Sequence, residues 1–152
     1  MKVAVASDHA GFAYKKILVP ELQEAGYEVI DLGTNSEAPT DYPDHATDIA
    51  MVIHQQEAER GILICGSGVG VSVAANKFRG IRAAVCHDSY SAHQSVEHDD
   101  ANVLCLGARI VGIELARELI HIFLKAKFTN EPRHKRRVEK INAIENQNMK
   151  DQ

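Results

Sequence analysis

Gly61-Ile62-Leu63-Ile64-Cys65 is an apolar run too short for a helix, and it passes directly into Gly66-Ser67-Gly68-Val69-Gly70. Apolar residues without alternation are what a strand covered on both faces requires. The turn that follows opens a helix of small residues through Asn76. The same strand, loop and helix recur on either side. Upstream, Val3-Ala4-Val5-Ala6 leads through Ser7-Asp8-His9-Ala10-Gly11 into a periodic stretch from Phe12 to about Ala25, closed by Gly26. Pro20 inside that stretch has no N–H and crowds the preceding turn, which predicts a kink or a break. Tyr27 to Leu32 reads as a second strand, Gly33 to Asp44 as a long loop, and Asp44 to Glu57 as a helix. Downstream, Arg82 to Cys86 leads into a helix from Ser89 to His98, and Asn102 to Leu106 into one from Ile113 to Lys127. Strands alternating with helices in this way predict a five-stranded parallel sheet covered on both faces, because every parallel connection needs a crossover. Glu131 to Met149 reads as an extra C-terminal helix, polar except for Val138, Ile141 and Ile144 at helical spacing. With no strand after it to cover, it is expected on the flank of the sheet or against another subunit.

The chain has 152 residues, 45% hydrophobic and 25% charged, which fits one compact domain spanning residues 1–152 and excludes a disordered chain. No apolar stretch approaches the roughly 18 to 20 residues of a spanning helix, and the start is strand-like rather than a secretory signal. A soluble, cytoplasmic protein is expected. Cys65, Cys86 and Cys105 are odd in number and form no CxxC pair, so neither a disulfide framework nor a zinc knuckle is indicated. His93 and His98 are five apart rather than the four that puts two ligands on one helix face, which speaks against a metal. A net charge of −4 and an aromatic content of 5% argue against nucleic acid and anionic membranes as partners.

In an open parallel sheet, ligands bind beyond the carboxyl ends of the strands. Asp8-His9, Cys65-Gly66-Ser67-Gly68 and His87-Asp88 stand at three such ends. Cys86 and Cys105 hold the same relative position on their strands as Cys65, which suits three small buried side chains. Cys65 differs because a glycine turn and a helix N-terminus follow it, a setting that stabilises thiolates. Read alone, it is equally a buried residue and a reactive one. The Gly66 to Gly70 loop can cradle an anion on its N–H groups, or be a plain tight turn. It is not the dinucleotide fingerprint, since Val71 stands where that motif needs glycine, and no Gly-Lys-Ser/Thr follows to make a P-loop. Arg133 and Arg137 are four apart and can clamp one phosphate from a shared helix face, or be part of a solvated basic helix end with Lys135, Arg136 and Lys140.

Taken together, Ser7-Asp8-His9-Ala10-Gly11, Thr40-Asp41-Tyr42-Pro43, residues 61–70, Ala74-Ala75-Asn76-Lys77, Gly80-Ile81-Arg82-Ala83, Asn102-Val103-Leu104 and Arg133-His134 closely resemble the ribose-5-phosphate isomerase B family. The wider family includes galactose-6-phosphate and allose-6-phosphate isomerases. The match runs in register from residue 2 to about residue 146. The resemblance implies a Rossmann-like three-layer α/β sandwich and a homodimer or dimer of dimers with active sites shared between subunits. It implies a sugar-phosphate substrate and neither metal nor cofactor.

Carried over by position, it makes Cys65 the base that moves a proton between C2 and C1, and His98 the group that opens the sugar ring. It makes the N–H groups of Gly66, Gly68, Val69 and Gly70 an anion hole for the enediolate, with Ser67 beside the sugar oxygens. Asp8 and Tyr42 would meet hydroxyls or the ring, His9, Arg133 and Arg137 the phosphate, and Arg109 would reach in from the partner subunit. The residue types suit the chemistry: an aldose C–H is too weak an acid for a base alone, and each donor on the developing oxyanion is worth ~3 kcal/mol. One departure stands out. The best-known members read His-Asn-Asp where this chain reads His98-Asp99-Asp100, placing a carboxylate where an amide normally donates to substrate. Asp99 must turn away, accept from a substrate hydroxyl, or be protonated. The expected reaction is interconversion of ribose 5-phosphate and ribulose 5-phosphate. The alternatives are the same chemistry on a six-carbon aldose phosphate, or a non-catalytic phosphate-binding module.

Overall fold

Val3, Val5, Ile62, Ile64, Leu104 and Leu106 pack on one side of a parallel sheet, and Ala4, Ala6, Leu63, Cys65, Val103 and Cys105 on the other. This two-residue alternation runs through strands that are apolar at nearly every position, so both faces carry a core. The computed structural model describes residues 1–149; residues 150–152, the end of the domain read from the sequence, lie outside the described residues.

The chain alternates β1 (Lys2–Ser7), α1 (Phe12–Glu24), β2 (Glu28–Asp31), α2 (Tyr42–His54), β3 (Arg60–Cys65), α3 (Val69–Ala75), β4 (Ala83–Val85), α4 (Ser89–Asp99), β5 (Val103–Gly107) and α5 (Ile113–Lys125), then ends in α6 (Pro132–Asn148). Every strand pair is parallel and the order is β2-β1-β3-β5-β4. Helices α1, α4 and α5 cover one face through Leu18, Leu22, Val96, Leu119 and Phe123, and α2 and α3 cover the other through Ile49, Ala50, Val71 and Ala75. Each large side chain so buried contributes about 1.5–3 kcal/mol. β1 connects to β2 on one side and, through β2 and α2, to β3 on the other. The switch of direction therefore falls between β1 and β3, where α/β sheets open a crevice at their carboxyl ends.

Of the kink or break expected at Pro20, the break does not occur. α1 runs unbroken to Glu24, anchored by buried Leu18, Val19 and Leu22, with Pro20 exposed on the outer face. The cysteines are also not level with one another. Register sets Gly107 beside Cys65 and Leu63 beside Cys105, so Cys65 alone of those two ends its strand. Asp88 caps α4, accepting from the Ser91 N–H at 2.7 Å. α6 buries only His134 and Val138 among its residues, leaving Ile141 and Ile144 exposed.

Candidate active site

At the switch point, the Asp8 N–H donates to the Ile64 carbonyl at 3.2 Å, tying the end of β1 to β3. The buried Asp8 carboxylate turns back and accepts from the Ala10 and Gly11 N–H groups at 2.9 and 3.2 Å. Gly11 is required there, because a Cβ on it would stand 2.4 Å from the Ile64 carbonyl oxygen. Beside it lies a pocket of about 460 Å³ lined by Asp8, Tyr42, Cys65, Gly66, Ser67, Gly70, Arg109 and Ile110. Cys65 is its floor: the last residue of β3, buried, with its sulfur accepting from the Gly68 N–H at 3.1 Å. A donor aimed at sulfur stabilises negative charge on it.

Gly68 reaches that position with a left-handed backbone, φ +79°, and a Cβ there would stand 3.0 Å from the Leu106 carbonyl carbon. The Ser67 hydroxyl accepts from the Val69 N–H at 3.2 Å. Gly70 leaves room for the Tyr42 ring, which a Cβ would meet at 2.8 Å. Outside the lining, His9 Nδ1 accepts from the Thr40 N–H at 3.2 Å, fixing the loop that delivers Tyr42. Arg109 lines the pocket of its own chain. The Ala108 and Arg109 N–H groups donate to the Cys65 and Gly66 carbonyls at 2.8 and 3.0 Å, clamping the end of β5 to that of β3 and setting the guanidinium over Gly66. His87 Nε2 is engaged, accepting from the Gly107 N–H at 2.9 Å.

The other predicted site residues lie elsewhere. His98 and Asp99 end α4, which runs back to the amino end of the sheet; β5 starts just after them and finishes beside Cys65. Four residue steps of about 3.3 Å put the two ends of β5 roughly 13 Å apart. At this amino end the His98 ring stacks on His134 with centroids 4.0 Å apart, and Gln94 Nε2 lies 3.1 Å from His98 Nδ1. His134 Nδ1 meets the Thr129 hydroxyl at 2.6 Å. Burial, then the neighbouring His98 and Arg133, lower the pKa of His134. Arg133 pairs with Glu131 at 3.2 Å, and Arg137 lies one turn further along α6. Among the described residues no group of three or more His, Cys, Asp or Glu side chains is arranged to hold a metal ion. The remaining two cysteines are inert by environment: burial pushes both the Cys86 and the Cys105 thiol up.

Sequence reasoning missed Ile110, Gln94 and Gly107. Gly107 carried a signal, as the glycine closing β5, and a Cβ on it would stand 2.7 Å from Ser67. Gln94 carried none, because its meaning depends on a neighbour four residues on.

These two clusters can be set against known proteins. The profile of the Ribose/Galactose Isomerase family matches residues 3–141. The chain belongs to this family. Within it, the chain is 51% identical to ribose-5-phosphate isomerase B of Escherichia coli, over 95% of its own length and 96% of the relative's. The structure of the Clostridium thermocellum ribose-5-phosphate isomerase B superposes with a TM-score of 0.94 at 48% identity, covering 97% of this chain and 99% of that one. The family fold extends to the Mycoplasma genitalium ribose-5-phosphate isomerase B with bound ribulose-5-phosphate, at a TM-score of 0.88 and 42% identity, 95% of each chain being covered.

Proposed function

We propose that this protein is an aldose-ketose isomerase that interconverts ribose 5-phosphate and ribulose 5-phosphate through ring opening and an enediolate. The observation that carries the reading is Cys65 in the floor of the switch-point pocket with the Gly68 N–H on its sulfur. A phosphate-binding module has no use for a buried base in its pocket, whereas an isomerase has no reaction without one. The relative crystallised with ribulose-5-phosphate and the E. coli relative named for ribose 5-phosphate favour the pentose over a hexose phosphate.

In this mechanism Cys65 takes the proton from C2 of the open-chain aldose and returns it to C1. Charge that develops on the carbonyl oxygen is met by N–H donors of the Gly66 to Gly70 loop, with Ser67 beside the sugar oxygens; each such donor is worth ~3 kcal/mol. Asp8 and Tyr42 hold hydroxyls, and Arg109 brings positive charge to the same pocket. His98 opens the ring, and His9, Arg133 and Arg137 take the phosphate. Because His98 and the α6 arginines stand at the opposite end of the sheet from Cys65, the complete site requires two chains: the carboxyl-end cluster of one and the amino-end cluster of the other. A two-fold dimer makes two such sites, since an isologous contact gives each chain what it receives. We place the enzyme in a reducing cytoplasm, which keeps its three thiols free.

The test is ketose formation from ribose 5-phosphate, with allose 6-phosphate and galactose 6-phosphate in parallel and Cys65→Ala as control. Turnover of the pentose that disappears in Cys65→Ala is expected. Turnover of a hexose phosphate alone would move the substrate, and activity that survives Cys65→Ala would remove the base.

A further inference from the structure

The side chains around His98 do more than crowd it. Gln94 Nε2 lies 3.1 Å from His98 Nδ1 and 3.4 Å from Asp99 Oδ2, so one amide nitrogen faces both groups. An amide can present either its oxygen or its NH2 to a histidine, and the choice decides which ring nitrogen carries the proton. Here an ionised Asp99 accepts and cannot donate, so the atom turned to it is the NH2. The same nitrogen has no lone pair for His98, and Nδ1 must accept. The proton of the neutral ring then sits on Nε2.

We propose that Gln94 is a positioning residue that fixes His98 as the Nε2–H tautomer, and that Asp99 fixes Gln94. The assignment rests on the role given above to His98 in ring opening. It gives the carboxylate at position 99 a task that does not involve touching the enediolate. His134 complements the arrangement by stacking on the ring face, which restrains its plane without using its nitrogens, while its own Nδ1 is engaged by Thr129. With Nε2–H directed at the sugar, the bond from C1 to the ring oxygen breaks with its electron pair going to that oxygen as it takes the Nε2 proton, and in the same step the anomeric hydroxyl passes its proton to the nitrogen being vacated, so the imidazole is neutral before and after. C1 becomes the aldehyde carbon and Nε2–H is restored. One nitrogen serves both oxygens because both are attached to C1.

The experiment compares wild type with Gln94→Leu and Gln94→Glu in two reactions and one spectrum. Isomerisation of ribose 5-phosphate requires ring opening, whereas exchange of a C1 proton of open-chain ribulose 5-phosphate for solvent deuterium requires only the Cys65 step. The spectrum is the long-range proton–nitrogen NMR pattern of the His98 ring, assigned by its loss in His98→Ala. The wild type is expected as the Nε2–H tautomer. Gln94→Leu should lose that preference and slow isomerisation about tenfold, the worth of one hydrogen bond, with exchange unchanged. Gln94→Glu, which puts an acceptor against Nδ1, should move the proton to Nδ1 and slow isomerisation at least as much. An Nδ1–H ring in the wild type, unaltered isomerisation in Gln94→Leu, or equal losses in both reactions would overturn the assignment. A wild type that neither isomerises nor exchanges would instead overturn the functional reading beneath it.

Discussion

Gly68→Ala is the perturbation whose cost follows most directly from the geometry. Gly68 has φ +79°, a left-handed conformation that costs an alanine about 1–2 kcal/mol. Its Cβ would stand 3.0 Å from the Leu106 carbonyl carbon and 3.2 Å from the Gly107 nitrogen. Both are backbone atoms of β5, an interior strand that cannot move without disturbing β3 and β4, and overpacking of this kind costs roughly 1–3 kcal/mol. Together these give about 3 kcal/mol, or a fall in Tm of roughly 10 °C for a chain of this size. The same shift takes the Gly68 N–H off the Cys65 sulfur, so kcat should fall about a hundredfold at temperatures where the variant remains folded. Gly70→Ala is the matched control. The three atoms nearest its Cβ all belong to the Tyr42 ring, the first at 2.8 Å, and that half-exposed side chain can swing aside. Calorimetry should find Gly70→Ala within about 1 kcal/mol of wild type, alanine being favoured in a helix, while KM rises because Tyr42 has lost its seat. Gly68→Ala with wild-type Tm and kcat would refute the reasoning, as would a Gly70→Ala protein destabilised as much as Gly68→Ala.

Three further outcomes are expected. Alkylation by iodoacetamide should modify Cys65 ahead of Cys86 and Cys105, whose thiols burial pushes up, and ribose 5-phosphate should protect it; mass spectrometry of the tryptic peptides would read the order. His134 has its folded pKa below the unfolded value of 6.5, so its contribution to stability is fully present above about pH 6.5 and is lost as pH falls through the folded pKa. Tm should therefore decline from pH 7 to pH 5, and His134→Phe, which keeps a ring against His98, should flatten that slope; a slope identical to wild type would exclude the assignment. Asp99→Asn should hold activity on ribose 5-phosphate within about threefold, because an amide oxygen can still accept from Gln94. A loss beyond tenfold would give the carboxylate a direct role in the reaction.

The sheet was legible because Val3 to Ala6, Gly61 to Cys65 and Val103 to Leu106 are apolar without interruption, and glycine or polar residues close each run. Whether Pro20 would break α1 could not be read locally, because the burial of Leu18, Val19 and Leu22 holds the helix together through it. The switch-point residues could be found because the site rule for parallel sheets points to strand ends, where Asp8 and Cys65 stand. Register could not be read. It takes the hydrogen-bonded pairing of β3 with β5 to set Gly107 rather than Cys105 beside Cys65, and to deliver Arg109 into its own chain's pocket. His98 and the α6 arginines were identified by type and spacing, yet their distance from Cys65 depends on which end of α4 and α6 they occupy, a matter of topology.

With Cys65 and His98 at opposite ends of the sheet, a site shared between two chains can be tested directly. The direct test mixes Cys65→Ala with His98→Ala under conditions that exchange subunits. Each protein alone should be inactive on ribose 5-phosphate. Random exchange makes half the dimers mixed, each with one site that has both Cys65 and His98 and one that lacks both, so the mixture should recover about a quarter of wild-type activity. A mixture as inactive as its components, after subunit exchange has been verified by native mass spectrometry, would mean that Cys65 and His98 do not complete one another across two chains.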